Sequence, residues 1–396
     1  MLSFEDARTR LLAACAVLER ERVPLAEAVG RVLAEDLRAE HPLPPYDHSA
    51  MDGYAVRTAD FASEPPYELP VTGESRAGGA FSQHLPGTAC RIFTGAPLPR
   101  GADAVIIQED VVRAGERVVL STRPRANENV RRAGEDLAAG AVALSAGTRL
   151  GPFQLGLAAA LDRDAVLVRR RPRVVVLPTG SELRLPGSPG AAGTIPESNG
   201  VVIRALAAAA GASATLHTAL PDERATVAER LSRALEHCDV LVTVGGASVG
   251  DHDVVRPALE ASGVALEFWK VAIQPGKPFV FGRRDDTLVL GLPGNPVSAQ
   301  VTFALFGMPA LRALQGDAAP LPAMLRVPLA EPLRRKPGRL GILRARLVEG
   351  RAHLAVNQAS GATTSLAAND LLVFAPADRA ELAAGTEVSA VRLSDL

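Results

Sequence analysis

The stretch that decides the fold covers residues 169–183, RRRPRVVVLPTGSEL. Val174, Val175, Val176 and Leu177 form a short apolar run, closed off by Pro172 on one side and by Pro178 and Gly180 on the other. A run of that length, rich in β-branched side chains and bounded by turn residues, reads as a buried strand. Downstream, a helix is predicted over 199–210, stopping at Gly211, and a strand over 213–219. An amphipathic helix over 222–237 leads into a buried strand at 240–244, inside DVLVTVGG. A helix over 254–261, strands over 266–268 and 288–290, and a helix over 296–314 complete the pattern. Strands alternating with helices imply a parallel sheet covered on both faces.

Working outward, the alternation fails on both sides. Residues 41–138 carry short β-like runs, AVIIQ and RVVLS, between turns such as TGESRAGG, and read as a β-rich domain. Residues 1–40 with 139–171 read as an elongated helical and β linker domain. Within it, Ser3 and Asp6 make an S-x-x-D start for a helix whose apolar face includes Phe4, Ala7 and Leu11. A second helix is expected over 24–37, with Pro24 in its first turn, and another over 152–161. Residues 319–396 give period-two strands and a small β-barrel-like domain. The α/β domain itself takes residues 172–318. The fold class is therefore α/β multidomain: a central doubly wound parallel sheet, flanking small β domains and an N-terminal helical segment. A length of 396 residues agrees with more than one core.

A hydrophobic fraction of 47% excludes a disordered chain, and a net charge of −1 argues against a generic binder of nucleic acid or anionic membrane. Cys15, Cys90 and Cys238 are few, odd in number and far apart, which disfavours a disulfide framework or a zinc–thiolate site and suggests a cytoplasmic setting. No apolar run is read as a membrane span, and MLSFEDARTRLL lacks the charge order of a signal peptide.

Ligands in open α/β sheets bind beyond the carboxyl ends of the strands. Four loops occupy those positions: PTGSEL, GGASVGDHD, KVAIQPGK and GLPGNPVS. All four are expected to converge on one sheet edge. Gly245, Gly246 and Gly250 would let backbone N–H groups approach a phosphate, with Ser248 adding a hydroxyl; a plain tight turn explains GGASVG equally well when it stands alone. Thr179, Ser181 and Glu182 share one loop, where a helix cap is the competing explanation. Asp251 and Asp253 follow the glycine loop, and paired carboxylates beside phosphates commonly serve Mg²⁺. Asp222 reads as an N-cap. Pro293, Gly294 and Pro296 form a turn into a helix and a possible pocket wall. Asp47, His48, Ser49 and Asp52 crowd the irregular stretch PPYDHSAMDGYAV. Nothing supports covalent nucleophilic catalysis.

Of 43 basic residues only three are lysines: Lys270, Lys277 and Lys336. The first two lie in FWKVAIQPGKPF. A compact point charge suits a small tetrahedral oxyanion better than a planar fork does. Lys270 is the preferred anion contact, and Lys336, in RRKPGRL, reads as a surface or inter-domain residue.

Together the motifs resemble the molybdopterin molybdenumtransferase family, MoeA and the E domain of gephyrin. The matching segments are PPYDHSAMDGYAV, RIFTGAPLPRGADAVI, RRAGEDL, VVVLPTGSEL, VTVGGASVGDHD, FWKVAIQPGKPF, LGLPGNPVSA and RRKPGRL. The resemblance implies a MogA-like central domain and an enzyme of molybdenum cofactor biosynthesis. Its substrates would be molybdate and adenylylated molybdopterin, cleaved with Mg²⁺ and release of AMP. It implies a homodimer whose active site is shared between subunits. Molybdopterin adenylyltransferase and molybdoenzyme maturation proteins would be its partners. By position it assigns catalysis to Asp52, Glu182, Asp253, Lys270 and Lys277, metal binding to Glu182 and Asp253, and substrate contacts to Thr94, Asp136, Asp222, Pro293, Pro296 and Ser360. Gln274 and His48 depart from the family pattern, which commonly has Lys and Asn there. An adenylyltransferase and a non-catalytic scaffold remain the alternatives.

Overall fold

The computed structural model describes residues 1–246 and 254–396. Its central sheet contains β1 (Arg173–Pro178), β2 (Ser213–Leu216), β3 (Val240–Val244), β4 (Ala265–Phe268), β5 (Val280–Arg284) and β6 (Thr287–Leu292), in the spatial order β2-β1-β3-β6-β5-β4. β1 runs parallel to β2 and β3, and β3 parallel to β6. β5 is antiparallel to both of its neighbours, so β4 points the same way as β6. The sheet is thus mixed, a correction to the all-parallel expectation. The cause is a hairpin: Asp285, at φ +52°, turns β5 directly into β6.

Helices α1 (Phe4–Ala13), α2 (Asn199–Ala209), α3 (Arg224–Leu235), α4 (Val255–Ala261), α5 (Pro296–Thr302) and α6 (Met308–Leu314) surround this sheet. A π-helical turn, Phe303–Gly307, joins the last two. The period-two pattern of β1 divides its side chains between two cores. Val174 and Val176 pack with Ile203, Phe303 and Phe306, whereas Leu177 packs with Val227, Leu231 and Leu259. Helices therefore cover both faces, as a doubly wound sheet requires. The helical run Pro296–Leu314 has the length and apolarity of a membrane span, yet 89% of it is buried inside the protein, as befits a core helix.

The linker is built from the pairs Arg20–Pro24 with Ala165–Arg169 and Leu37–Arg38 with Val142–Leu144. The helix expected over 24–37 is absent. In its place are a strand end, a short 3-10 turn (Leu25–Glu27) and bridges from Val32 to Arg149 and from Leu33 to Val168. Pairing with the β-branched run AVLVR, distant in sequence, overrides a local preference for helix.

The β-rich unit is a six-stranded sheet spanning Gly53–Val56 to Arg117–Leu120. The C-terminal sheet runs in the order Ile273–Gln274, Leu340–Val348, Leu371–Ala375, Glu387–Arg392, Leu325–Pro328, with Arg351–Leu354 beside Leu340–Val348. A bridge between Leu329 and Ala352 curls its far edge back toward that hairpin.

Two placements cross the expected boundaries. α1 lays Phe4, Ala7 and Leu11 into the core of the α/β domain rather than the linker, and Phe4 meets Phe306 edge-on at 5.1 Å. Ile273–Gln274, inside the lysine segment, forms a strand of the C-terminal sheet. The same segment is held from its other side by Leu2, whose carbonyl accepts from Ala272 N at 2.8 Å.

Candidate active site

The loops after β1, β3 and β6 enclose a cleft of about 660 Å³ at the carboxyl edge of the sheet. Backbone hydrogen bonds tie them together: Thr179 N donates to Val244 O (2.8 Å), Gly180 N to Leu220 O (3.0 Å) and Gly245 N to Leu292 O (3.1 Å). Gly245, at φ +91°, lies so close to the first loop that a Cβ there would sit 2.5 Å from Thr179 O. At Gly246, φ +60°, it would sit 2.4 Å from Val255 Cγ2. The glycines are thus needed for close packing of loop on loop, whatever they bind.

Thr179, Glu182, Asp222, Gly245, Gly246, Pro293, Gly294 and Pro296 all line this cleft. Ser181 is tied to it by reciprocal bonds. Its N–H donates to Asp222 Oδ2 (3.3 Å), and Asp222 N donates to Ser181 Oγ (3.2 Å). Asp222 therefore bridges two loops; Glu223 occupies the N-cap of α3, correcting the cap assignment. Pro296 opens α5 as its first residue, as the turn motif implied. Ser248, Gly250, Asp251 and Asp253 lie outside the described residues.

A second cavity, of about 540 Å³, opens between the α/β and C-terminal domains, and Pro278 lines both. Lys277, Arg334, Arg335, Lys336, Arg339 and Arg344 line it, and among the described residues no carboxylate does. Gln274 and Ser360 are also in its wall; Ser360 O accepts from Val297 N at 3.0 Å, docking its loop on α5. Arg344 is completely buried. Its Nε donates to Ser365 Oγ (3.0 Å) and its Nη2 to Asn357 O (3.3 Å) and Ala359 O (3.1 Å). Nη1 has no partner. Burial lowers the pKa of Arg344 from the ordinary arginine value, but a guanidinium stays protonated in proteins. A buried cation without a counter-ion is costly, and an anion that enters its pocket relieves that cost.

Three family models match successive parts of the chain. Residues 2–161 match the model of the MoeA N-terminal region (domain I and II), residues 175–313 that of a probable molybdopterin binding domain, and residues 326–393 that of the MoeA C-terminal region (domain IV). A molybdopterin molybdenumtransferase of Haemophilus influenzae is 39% identical over 80% of this chain and 78% of its own length. Molybdopterin molybdenumtransferase 2 of Mycobacterium tuberculosis is 38% identical over 92% and 93%. This chain belongs to the molybdopterin molybdenumtransferase family. The crystal structure of the molybdopterin biosynthesis MoeA protein from Pyrococcus horikoshii OT3, 31% identical, superimposes with a TM-score of 0.88 over 99% of this chain and 100% of that one.

The remaining residues that the resemblance to molybdopterin molybdenumtransferases singled out lie elsewhere. Asp52 Oδ1 accepts from Thr94 N (2.8 Å) and Thr94 Oγ1 (2.7 Å), bonds that hold its carboxyl below the usual carboxylate range. Asp136 pairs with Arg131 at 3.1 Å. Asp52, Thr94 and Asp136 line neither cavity of their own chain. Lys270 follows β4 at the sheet edge, half-buried, and also lines neither. Sequence reading passed over Arg344, Glu197 and Asn199, and read Lys336 as a surface or inter-domain residue; it lies in the inter-domain cavity. Local period gave no signal for Arg344: it shares a face of Leu340–Val348 with exposed Arg346, opposite Leu343, Ala345 and Leu347, which pack in the C-terminal core.

Proposed function

We propose that this chain inserts molybdenum into molybdopterin, taking adenylylated molybdopterin as its organic substrate, cleaving the pyrophosphate link and releasing AMP. The observation that carries this is the unpaired Arg344 in a carboxylate-free pocket beside a cleft rich in hydroxyl and acidic groups. Molybdate is a dianion, and Lys277, Lys336 and Arg344 would hold it by charge and by the free Nη1. A pterin nucleotide in the neighbouring cleft would then present its reacting end across Pro278, so the two substrates meet without diffusing apart. The same cations would stabilise charge building on the phosphoryl oxygens. Lys270, at the mouth of the same sheet edge, would add a further positive charge.

Mg²⁺ fits this cleft. Glu182 has no cationic partner among the described residues and offers hard oxygen donors. No group of three or more metal-binding side chains occurs among the described residues, so substrate phosphates would complete the ligand set, with Asp253 as the second protein donor. When bound, Mg²⁺ would supply Lewis-acid polarisation of the phosphoryl oxygens.

A homodimer with shared sites belongs to the same reading. Asp52 and Thr94 stand apart from the cleft of their own chain, and the linker helix Pro152–Ala160 leaves Phe153 90% exposed. So do a cytoplasmic setting, with all three thiols unpaired, and exchange with a molybdopterin adenylyltransferase and with molybdoenzyme maturation proteins.

The test is AMP release by the full-length protein from adenylylated molybdopterin and Mg²⁺, with and without molybdate. Release that depends on molybdate is expected. Molybdate-independent release would overturn the reading. Transfer of AMP from ATP to molybdopterin would make the protein an adenylyltransferase instead.

A further inference from the structure

We propose that Glu197 and Asn199 form a subsite of the cleft that reads the donor edge of a pterin: its exocyclic amine and the ring N–H beside it. The inference rests on the functional reading above. Both residues line the cleft, at the amino end of α2, and neither belongs to the motifs that carry the family resemblance.

Glu197 is only 6% exposed. Its Oε1 accepts from Gly200 N at 2.7 Å. Among the described residues no cation pairs with it, and Oε2 accepts no hydrogen bond. Gly200 keeps the space around that oxygen narrow: a Cβ there would lie 3.0 Å from Glu197 Oε2 and 2.4 Å from Leu216 Cδ1. Asn199 supplies the second acceptor. Its Nδ2 donates to Gly294 O at 2.8 Å, which fixes the amide orientation, because a carbonyl can only accept. Oδ1 is left shielded from solvent and, among the described residues, without a partner.

Among the described residues, the cleft thus holds two acceptors that lack donors. An unmet buried acceptor such as Asn199 Oδ1 costs about 1–3 kcal/mol, so a ligand with a matching N–H group is selected there. Phosphate and molybdate oxygens only accept, and cannot satisfy either group. Adenine presents one acceptor beside one donor. A pterin presents two adjacent donors, one for a carboxylate oxygen and one for an amide oxygen.

The test is calorimetric titration of the full-length chain with hydroxymethylpterin and with hydroxymethyllumazine, in which a carbonyl replaces the amine. The unaltered chain is expected to prefer the pterin by about tenfold or more. Glu197→Gln keeps an oxygen for Gly200 and turns the other acceptor into a donor, so the preference should collapse or invert. Asn199→Ser should weaken the pterin alone. A parallel arm compares AMP with purine riboside monophosphate, which lacks the amine; its ratio should not change in either variant. A change confined to that arm would overturn the assignment in favour of adenine. Binding of pterin and lumazine with equal affinity to the unaltered chain would overturn it without recourse to any variant, and would leave the functional reading standing. If neither hydroxymethylpterin nor AMP bound, the functional reading and the subsite would fall together.

Discussion

Two buried side chains show how single residues divide between function and stability. Among the described residues, Arg344 has three acceptors for Nε and Nη2 and none for Nη1. Arg344→Lys keeps the charge but loses the fork. The apparent affinity for molybdate should fall about tenfold or more, while the melting temperature drops by no more than about 2–4 °C. A large thermal loss with unchanged molybdate affinity would make Arg344 a structural residue. His84, in the β-rich domain, is 4% exposed and, among the described residues, both ring nitrogens lack partners. Burial holds its pKa below 6.5, with Arg57 lowering it further and Asp60 and Asp103 opposing. The fold therefore favours neutral His84. Its stabilising contribution is complete above the unfolded value of 6.5 and is lost as pH falls from there toward the lower folded value. The melting temperature should decline between about pH 7.5 and pH 5.5, and His84→Leu should flatten that decline; an identical slope in both proteins would rule His84 out as its source.

At the scale of elements, the lysine loop is braced on three sides. Leu2 bonds to Ala272, Leu340 N donates to Ala272 O at 2.8 Å, and Ile273–Gln274 pairs with the C-terminal sheet. Beneath it, Gly276 sits at φ +106°, where a Cβ would come within 2.5 Å of Thr302 Oγ1 and 2.8 Å of Ile273 Cδ1. Gly276→Ala should destabilise the protein by about 1–3 kcal/mol and displace Lys277, so that molybdate binding weakens by more than the thermal loss alone explains. Thermal unfolding and molybdate titration of the same variant separate the two effects. Full retention of both would show that the loop relaxes freely.

For the whole molecule, the acids of the β-rich domain have a place in catalysis only if a second subunit brings them to the cleft. In the proposed homodimer, Asp52→Ala and Glu182→Ala should each be inactive. Mixed after dissociation and reassembly, random pairing leaves one intact site in half of the dimers, or about a quarter of full activity. No recovery on mixing would mean that each chain builds its site alone. On the proposed homodimer, Phe153→Asp should shift the protein toward monomer in sedimentation and abolish AMP release with it, since that exposed ring stands on a helix that is apolar apart from Gln154.

The sequence by itself determined the doubly wound sheet, the loops at its carboxyl edge and most of the cleft, including Thr179, Glu182, Gly245 and Pro296. Those features follow from local period and turn chemistry, which a single segment encodes. Only the tertiary structure decided that α1 joins the α/β core, that residues 24–37 pair as β-structure, and that the lysine segment lends a strand to the C-terminal sheet. It also decided that Arg344, Lys277 and Lys336 face one cavity, and that Glu197 and Asn199 keep acceptors without donors. Each of these depends on partners far away along the chain, and on which polar atoms the packing leaves unmet, and no local pattern records either.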